Sequence, residues 1–148
     1  MKDTLEKVEL FYVPTEMVPE VWDIVQEVLE KSIATSHGNF FPHDVLDHIM
    51  ENFYMLWVAT VDGEIVAAMT TRIMEYPNSR SLSVDWVGGS QMQKWLPMFQ
   101  EMVVDHAKVN GCNQIEGYGR KAWGRWLGKY GWKPNYIAFR MEIENGQG

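Results

Sequence analysis

Asp85 is the one carboxylate inside an alternating run from Arg80 to Val87, and Glu75 closes the apolar run before it. A carboxylate whose surroundings disfavour its charge can take a proton from an amine, directly or through water. At a solvated strand end it is merely hydrated. Val87-Gly88-Gly89 follow, and two residues without Cβ permit a bulge, a close backbone approach or a plain strand-to-helix turn. In the next stretch, Ser90 and Gln93 have the spacing of a capping box, while Lys94 can either neutralise a phosphate or sit solvated on a helix.

Other reactive side chains have weaker spacing. His37, His43 and His48 lie close in sequence, and His43 with Asp47 can share one helix face, but no third ligand of matching spacing accompanies them. They read as a helix-and-loop surface. His106 falls on the apolar side of a long helical segment and reads as a packed histidine, and Cys112, the only cysteine, excludes a disulfide framework and a thiolate-rich zinc site. Arg120, Lys121, Arg125, Lys129, Lys133 and Arg140 interleave with Tyr118, Trp123, Trp126, Tyr130, Trp132 and Tyr136. That mixture suits either phosphate and base stacking or a helix with aromatics inward and basic chains in water.

The 148 residues, 46% hydrophobic and 22% charged, are the composition of one globular domain, here spanning 1–148. A net charge of −7 opposes a general polyanion binder, so nucleic acid is not an expected partner. The charge is uneven: residues 1–75 hold 14 acids and 4 bases, whereas residues 76–148 hold 6 acids and 9 bases. Acids run from Glu16 to Glu51, a field that favours a cationic amine over an anionic acceptor. Neither a bilayer-length apolar run nor a signal-peptide core is present, which makes the expected location cytoplasmic and excludes a membrane partner.

Periodicity supplies the elements that must position these residues. Val8 to Val13 is a β-rich run closed by Pro14. Val18, Val21, Trp22, Val25, Val28, Leu29 and Ile33 make one helical face, with Thr15 a candidate N-cap. A second helix spans about Pro42 to Asn52. Tyr54 to Val61 and Glu64 to Met74 flank Asp62-Gly63, a dipeptide favoured in type I′ turns, and Arg80 to Val87 is the next strand. Gln91 to Asn110 is helical and Gly111 stops it, although Pro97 leaves two starts open, Ser90 or a point near Leu96. A short strand from Asn113 to Tyr118, a short helix from Lys121 to Tyr130 and a strand from Asn135 to Ile143 complete the order β-α-α-β-β-β-α-β-α-β. The expected fold is α/β, a mixed and mostly antiparallel sheet flanked by helices.

This order, with a long helix before Gly111-Cys112-Asn113-Gln114-Ile115 and the closing Lys129-Tyr130-Gly131-Trp132-Lys133, resembles the GCN5-related N-acetyltransferase (GNAT) superfamily over about residues 8–143. The compact, acidic chain also resembles divergent phage-encoded proteins of that fold. The resemblance implies that acyl-CoA lies between two splayed strands, with its pyrophosphate on backbone amides at a helix N-terminus. Counting back from Gly111 places that loop at Gln91-Met92-Gln93-Lys94-Trp95-Leu96, where Gln91 matches and Lys94 and Leu96 stand in place of the family's two glycines. Leu127 occupies the position of the family's acid tyrosine.

The implied function is an acyl-CoA-dependent N-acyltransferase, with acetyl-CoA or another acyl-CoA as substrate, an amine of a small molecule or protein as acceptor, and no metal. Asp85 or Glu75 would accept the proton, and Trp86, Val87, Gly88, Gly89, Gln91, Gln93 and Lys94 would hold the cofactor. Trp57, Trp86 and Trp95 are placed near the expected cleft. The alternative is a noncatalytic GNAT-fold interaction module, such as a phage accessory protein that binds a host protein. Nucleic-acid binding through the C-terminal basic and aromatic residues is a third reading, opposed by the overall charge.

Overall fold

A computed structural model describes residues 5–119 and 123–144. They form two compact units, the first ending at Tyr118 and the second beginning at Gly119. The first unit holds a five-stranded sheet in the order β1(Val8–Val13), β2(Met55–Val61), β3(Glu64–Tyr76), β4(Ser79–Gly89), β5(Gln114–Gly117). The first four strands are antiparallel and β5 runs parallel to β4. The expected α/β class and mixed sheet are therefore observed.

The alternation of each strand assigns its two faces. Leu56, Val58 and Ala68 belong to the buried cluster that also takes in Val18, Trp22, Val25, Leu29 and Ile33 of α1(Val18–Ala34) and Val45 and Ile49 of α2(Pro42–Met50). Those α1 residues are the buried face expected from helical spacing, with Val21 and Val28 at its margin. Trp57 points the other way, meeting His106 of α3(Met92–Val109) edge-on at 5.4 Å. Trp95, Leu96, Phe99, Val103 and Ala107 are the buried stripe of that helix. His106 is a packed histidine, and burial holds its pKa below the ordinary value.

The turns follow residue chemistry. Asp62 and Gly63 both have positive φ, 51° and 84°, joining β2 to β3 as a type I′ turn requires. Gly111, at φ 71°, ends α3. In the second unit α4(Gly124–Leu127) continues into a 3-10 turn, Gly128–Tyr130, and Gly131 at φ 94° stops it. Lys121, the expected start of that helix, lies outside the described residues.

Three local expectations are corrected. Thr15 does not cap α1: its hydroxyl donates to Asn52 Oδ1 at 2.8 Å, and a 3-10 turn over Thr15–Met17 leads into the helix. The second correction concerns α3, which begins at Met92, between the two candidate starts. Gln91 in the left-handed region is its N-cap, without a side-chain cap, so the Ser90–Gln93 box does not form. Pro97 sits inside the helix, where it cannot donate to the carbonyl of Gln93. Third, residues 135–143 form no strand among the described residues. Ile137, Phe139, Met141 and Ile143 keep their alternation but are 78–91% exposed. Alternation supplies a face, while a strand also needs a neighbouring backbone to bond with. Among the described residues, no helix is long and apolar enough to cross a membrane.

Candidate functional site

β4 and β5 pair from Ser81↔Gln114 to Val84↔Gly117, and among the described residues β4 continues to Gly89 alongside β3 alone. The register of β3 with β4 slips at the same level: Met69 faces Val87 and Thr71 faces Val84, so Asp85 and Trp86 together oppose Thr70. A bulge of this kind twists and bends the strand that carries it. β5 ends at Gly117 while β4 runs on, so the β4–β5 pairing opens after Val84, a point called the fork below, and Asp85 is the first residue of β4 beyond it.

Asp85 is almost wholly buried, and three donors meet its carboxylate. Arg72 of β3 donates from Nε to Oδ2 and, at 3.5 Å, from Nη2 to Oδ1, while the Ser83 hydroxyl donates to Oδ1 at 2.8 Å. The guanidinium lies 5.3 Å from the centre of the Phe53 ring and against Met74. Burial opposes charge on Arg72, but the hydrogen bond to Asp85 and its negative charge outweigh that and raise its pKa. Beside the pair, the Tyr54 hydroxyl accepts from Trp86 Nε1 at 3.1 Å. Burial, the larger effect, and the charge on Asp85 push the Tyr54 pKa up against the opposing influences of Trp86 and Arg72.

Glu75 is elsewhere. It pairs with Arg80 near the tip of the β3–β4 hairpin and is mostly exposed. It lies four residue steps along the strand from Thr71 at the fork, about 13 Å at ~3.3 Å per residue. Asp85 and Glu75 are therefore not brought together.

The residues ascribed to cofactor binding have internal partners. The amide of Trp86 donates to Thr70 Oγ1 and that of Val87 to Ser32 Oγ, each at 3.3 Å. A Cβ on Gly88 would stand 2.3 Å from the carbonyl oxygen of Val28, and one on Gly89, at φ 132°, would stand 2.3 Å from that of Val66. Both glycines thus admit close packing, by α1 and by β3. Lys94 Nζ donates to Glu6 Oε2 and to Gln91 Oε1, both at 2.8 Å, and Gln93 is exposed. Trp95 is buried and donates to the carbonyl of Ser90, while Trp57 donates to Thr71 Oγ1.

A separate cleft of about 300 Å³ opens where β2 begins, lined by Asn52, Phe53, Thr71, Arg72 and His106 among others. Its link to the fork is Arg72. Neither Arg72 nor Ser83 was evident from spacing alone, although a signal exists: Arg72 is the sole arginine of the first 75 residues and interrupts an apolar strand. The neighbouring strand carries Ser81, Ser83 and Asp85 in alternation, a polar stripe available to receive it. Among the described residues, no group of three His, Cys, Asp or Glu is arranged to hold a metal.

This architecture is the GNAT-like fold, five strands with helices on both faces. No family model matches the sequence, and neither does any curated protein. Solved structures do match. The aminoglycoside N-acetyltransferase AAC(6')-Iy, determined with CoA, superposes with a TM-score of 0.68 at 10% identity, over 97% of this chain and 100% of the other. A protein from Clostridium acetobutylicum described as a predicted acetyltransferase, determined with acetyl-CoA, gives 0.65 at 12% identity over 92% and 96%. A transcriptional regulator from Bacillus halodurans gives 0.66 at 15% identity over 93% and 100%. One fold here carries differently described proteins, so it is the site that must argue function.

Proposed function

We propose that the protein is an acyl-CoA-dependent N-acyltransferase acting on an amine of a small molecule or protein. The observation that carries this reading is that opening: β4 runs on past the end of its pairing with β5, at the level of its bulge against β3, and a buried carboxylate, Asp85, is the first residue beyond. Similarity to acetyltransferases determined with CoA or acetyl-CoA supports acyl-CoA as the substrate that enters the fork. The amine nitrogen attacks the thioester carbonyl, forming the C–N bond, and the C–S bond breaks to release CoA thiolate. Asp85, held by Arg72 and Ser83, takes the proton lost by the amine, directly or through water. The thiolate is a good leaving group near neutral pH and takes its proton from water.

Asp85 rather than Glu75 has this role because Glu75 lies at the hairpin tip beside Arg80. The pyrophosphate is received at the start of α3 by Gln91 to Lys94, with Lys94 exchanging Glu6 for phosphate. Lys94→Glu is then expected to weaken acetyl-CoA binding by roughly 1 kcal/mol or more, as loss of a charged partner plus repulsion requires. Calorimetry on parent and variant measures it, and equal affinities would move the phosphate site elsewhere. The overall reaction is tested by thiol release from acetyl-CoA with a panel of amines. Release above the uncatalysed rate supports the transferase.

One observation favours a second reading, a noncatalytic interaction module, which includes a phage accessory protein docking on a host protein. Lys94 is already neutralised by Glu6, and the amides of Trp86 and Val87 are already bonded, as in a cofactor cradle whose groups have turned inward. In that case acetyl-CoA neither binds nor reacts.

A further inference from the structure

We propose that Arg72 is a positioning residue: by pairing with Asp85 at the strand fork it supplies the counter-charge of that carboxylate and holds it in one orientation, and so sets the pH at which the site works. The inference rests on Asp85 being the proton acceptor. Arg72 faces Ser83 in register, and the bulge carries Asp85 to within reach of both guanidinium Nε and Nη2. The two side chains are only 18% and 7% exposed. A carboxylate so buried, without a counter-charge, favours its protonated form. The guanidinium supplies that counter-charge and the Ser83 hydroxyl a further donor. The ring of Phe53 beneath and Met74 beside it fix the plane of the fork-shaped donor, so the carboxylate is presented in one orientation.

Among the described residues, the other titratable groups acting on the pair are two phenols, Tyr54 from the α2–β2 connection and Tyr118 just after β5. Tyrosines are uncharged near neutral pH, and burial pushes Tyr54 further from ionisation. Among the described residues Arg72 is thus the cation that supports Asp85, and the same side chain lines the cleft at the start of β2. An occupant of that cleft would touch the residue that governs the base.

The test compares parent, Arg72→Gln and Arg72→Lys, each as the full chain, by the pH dependence of kcat/KM for thiol release and by carbon-13 NMR titration of the Asp85 carboxyl. Glutamine keeps an N–H donor but removes the charge. It is expected to move the acid-side fall in kcat/KM, and the carboxyl midpoint, upward by about one pH unit or more, and lysine to return most of the shift. A folded Arg72→Gln with both curves unmoved overturns the proposal. A moved carboxyl midpoint without any change in thiol release sustains the hold of Arg72 on Asp85 and removes Asp85 from the chemistry. If Arg72→Gln does not fold, Ser83→Ala, which strips one donor from the same carboxylate, is expected to shift the midpoint the same way by a smaller step. An unmoved midpoint there overturns the account.

Discussion

Gly88→Ala is expected to destabilise the protein by about 3 kcal/mol or more, enough to unfold a domain of ordinary stability. The new Cβ would lie 2.3 Å from the Val28 carbonyl oxygen and 3.3 Å from the Leu29 Cα, both backbone atoms of α1 that cannot rotate aside. Relief requires α1 to lift from β4, which uncovers Leu29 and Val25, two fully buried side chains. Gly89→Ala adds a second penalty because φ 132° is foreign to a residue with a Cβ. Chemical denaturation of the parent and both variants measures the loss. A Gly88→Ala protein as stable as the parent would show that α1 does not approach β4 this closely.

The two glycines show how far the sequence could be read. Paired glycines at a strand end announce a close approach, yet a one-dimensional pattern does not say what approaches. The resemblance assigned them to acyl-CoA, while their immediate neighbours are Val28 and Val66. Elsewhere local chemistry was decisive. Asp62-Gly63, Gly111 and Gly131 were legible as turns and stops because each needs φ above zero, and the α1 stripe was legible because its period is 3.6. The start of α3 was not legible, since Ser90, Gln91 and Pro97 each offer a different local solution and tertiary packing chooses among them. The 135–143 segment failed differently, for alternation cannot supply a bonding partner.

For the site, Asp85 was legible as a lone carboxylate in a strand, but its counter-ion was not. Arg72 lies 13 positions earlier and meets Asp85 only after the β4 bulge shifts the register. Lys94 likewise read as solvated or phosphate-binding, whereas its partner is Glu6, remote in sequence. Pairings across the sheet are products of register, which no local window contains.

Asp85→Asn is expected to lower thiol release by about 100-fold or more while leaving acetyl-CoA affinity nearly unchanged. Asparagine keeps the shape and an oxygen for Arg72 but has no proton affinity near neutral pH. It also leaves the Arg72 guanidinium, 18% exposed, with no counter-charge, so the melting temperature falls as well. Rates are therefore compared at matched folded concentrations. Equal rates in parent and variant would remove Asp85 from the chemistry, whatever its structural role. Glu75→Gln, at the hairpin tip, serves as the contrast, with a rate close to the parent.

The central claim is that the fork between β4 and β5 receives acyl-CoA, and the most direct measurement is titration of acetyl-CoA into the full-length protein by calorimetry, with melting followed in parallel. A ligand that binds only the folded state adds stability by mass action, about 2.7 kcal/mol at a hundredfold excess over Kd. The account predicts saturable one-to-one binding, a melting temperature that rises with ligand concentration, and weaker binding in Lys94→Glu. Absence of both heat and melting shift at millimolar acetyl-CoA would contradict it and leave the fold as an interaction module.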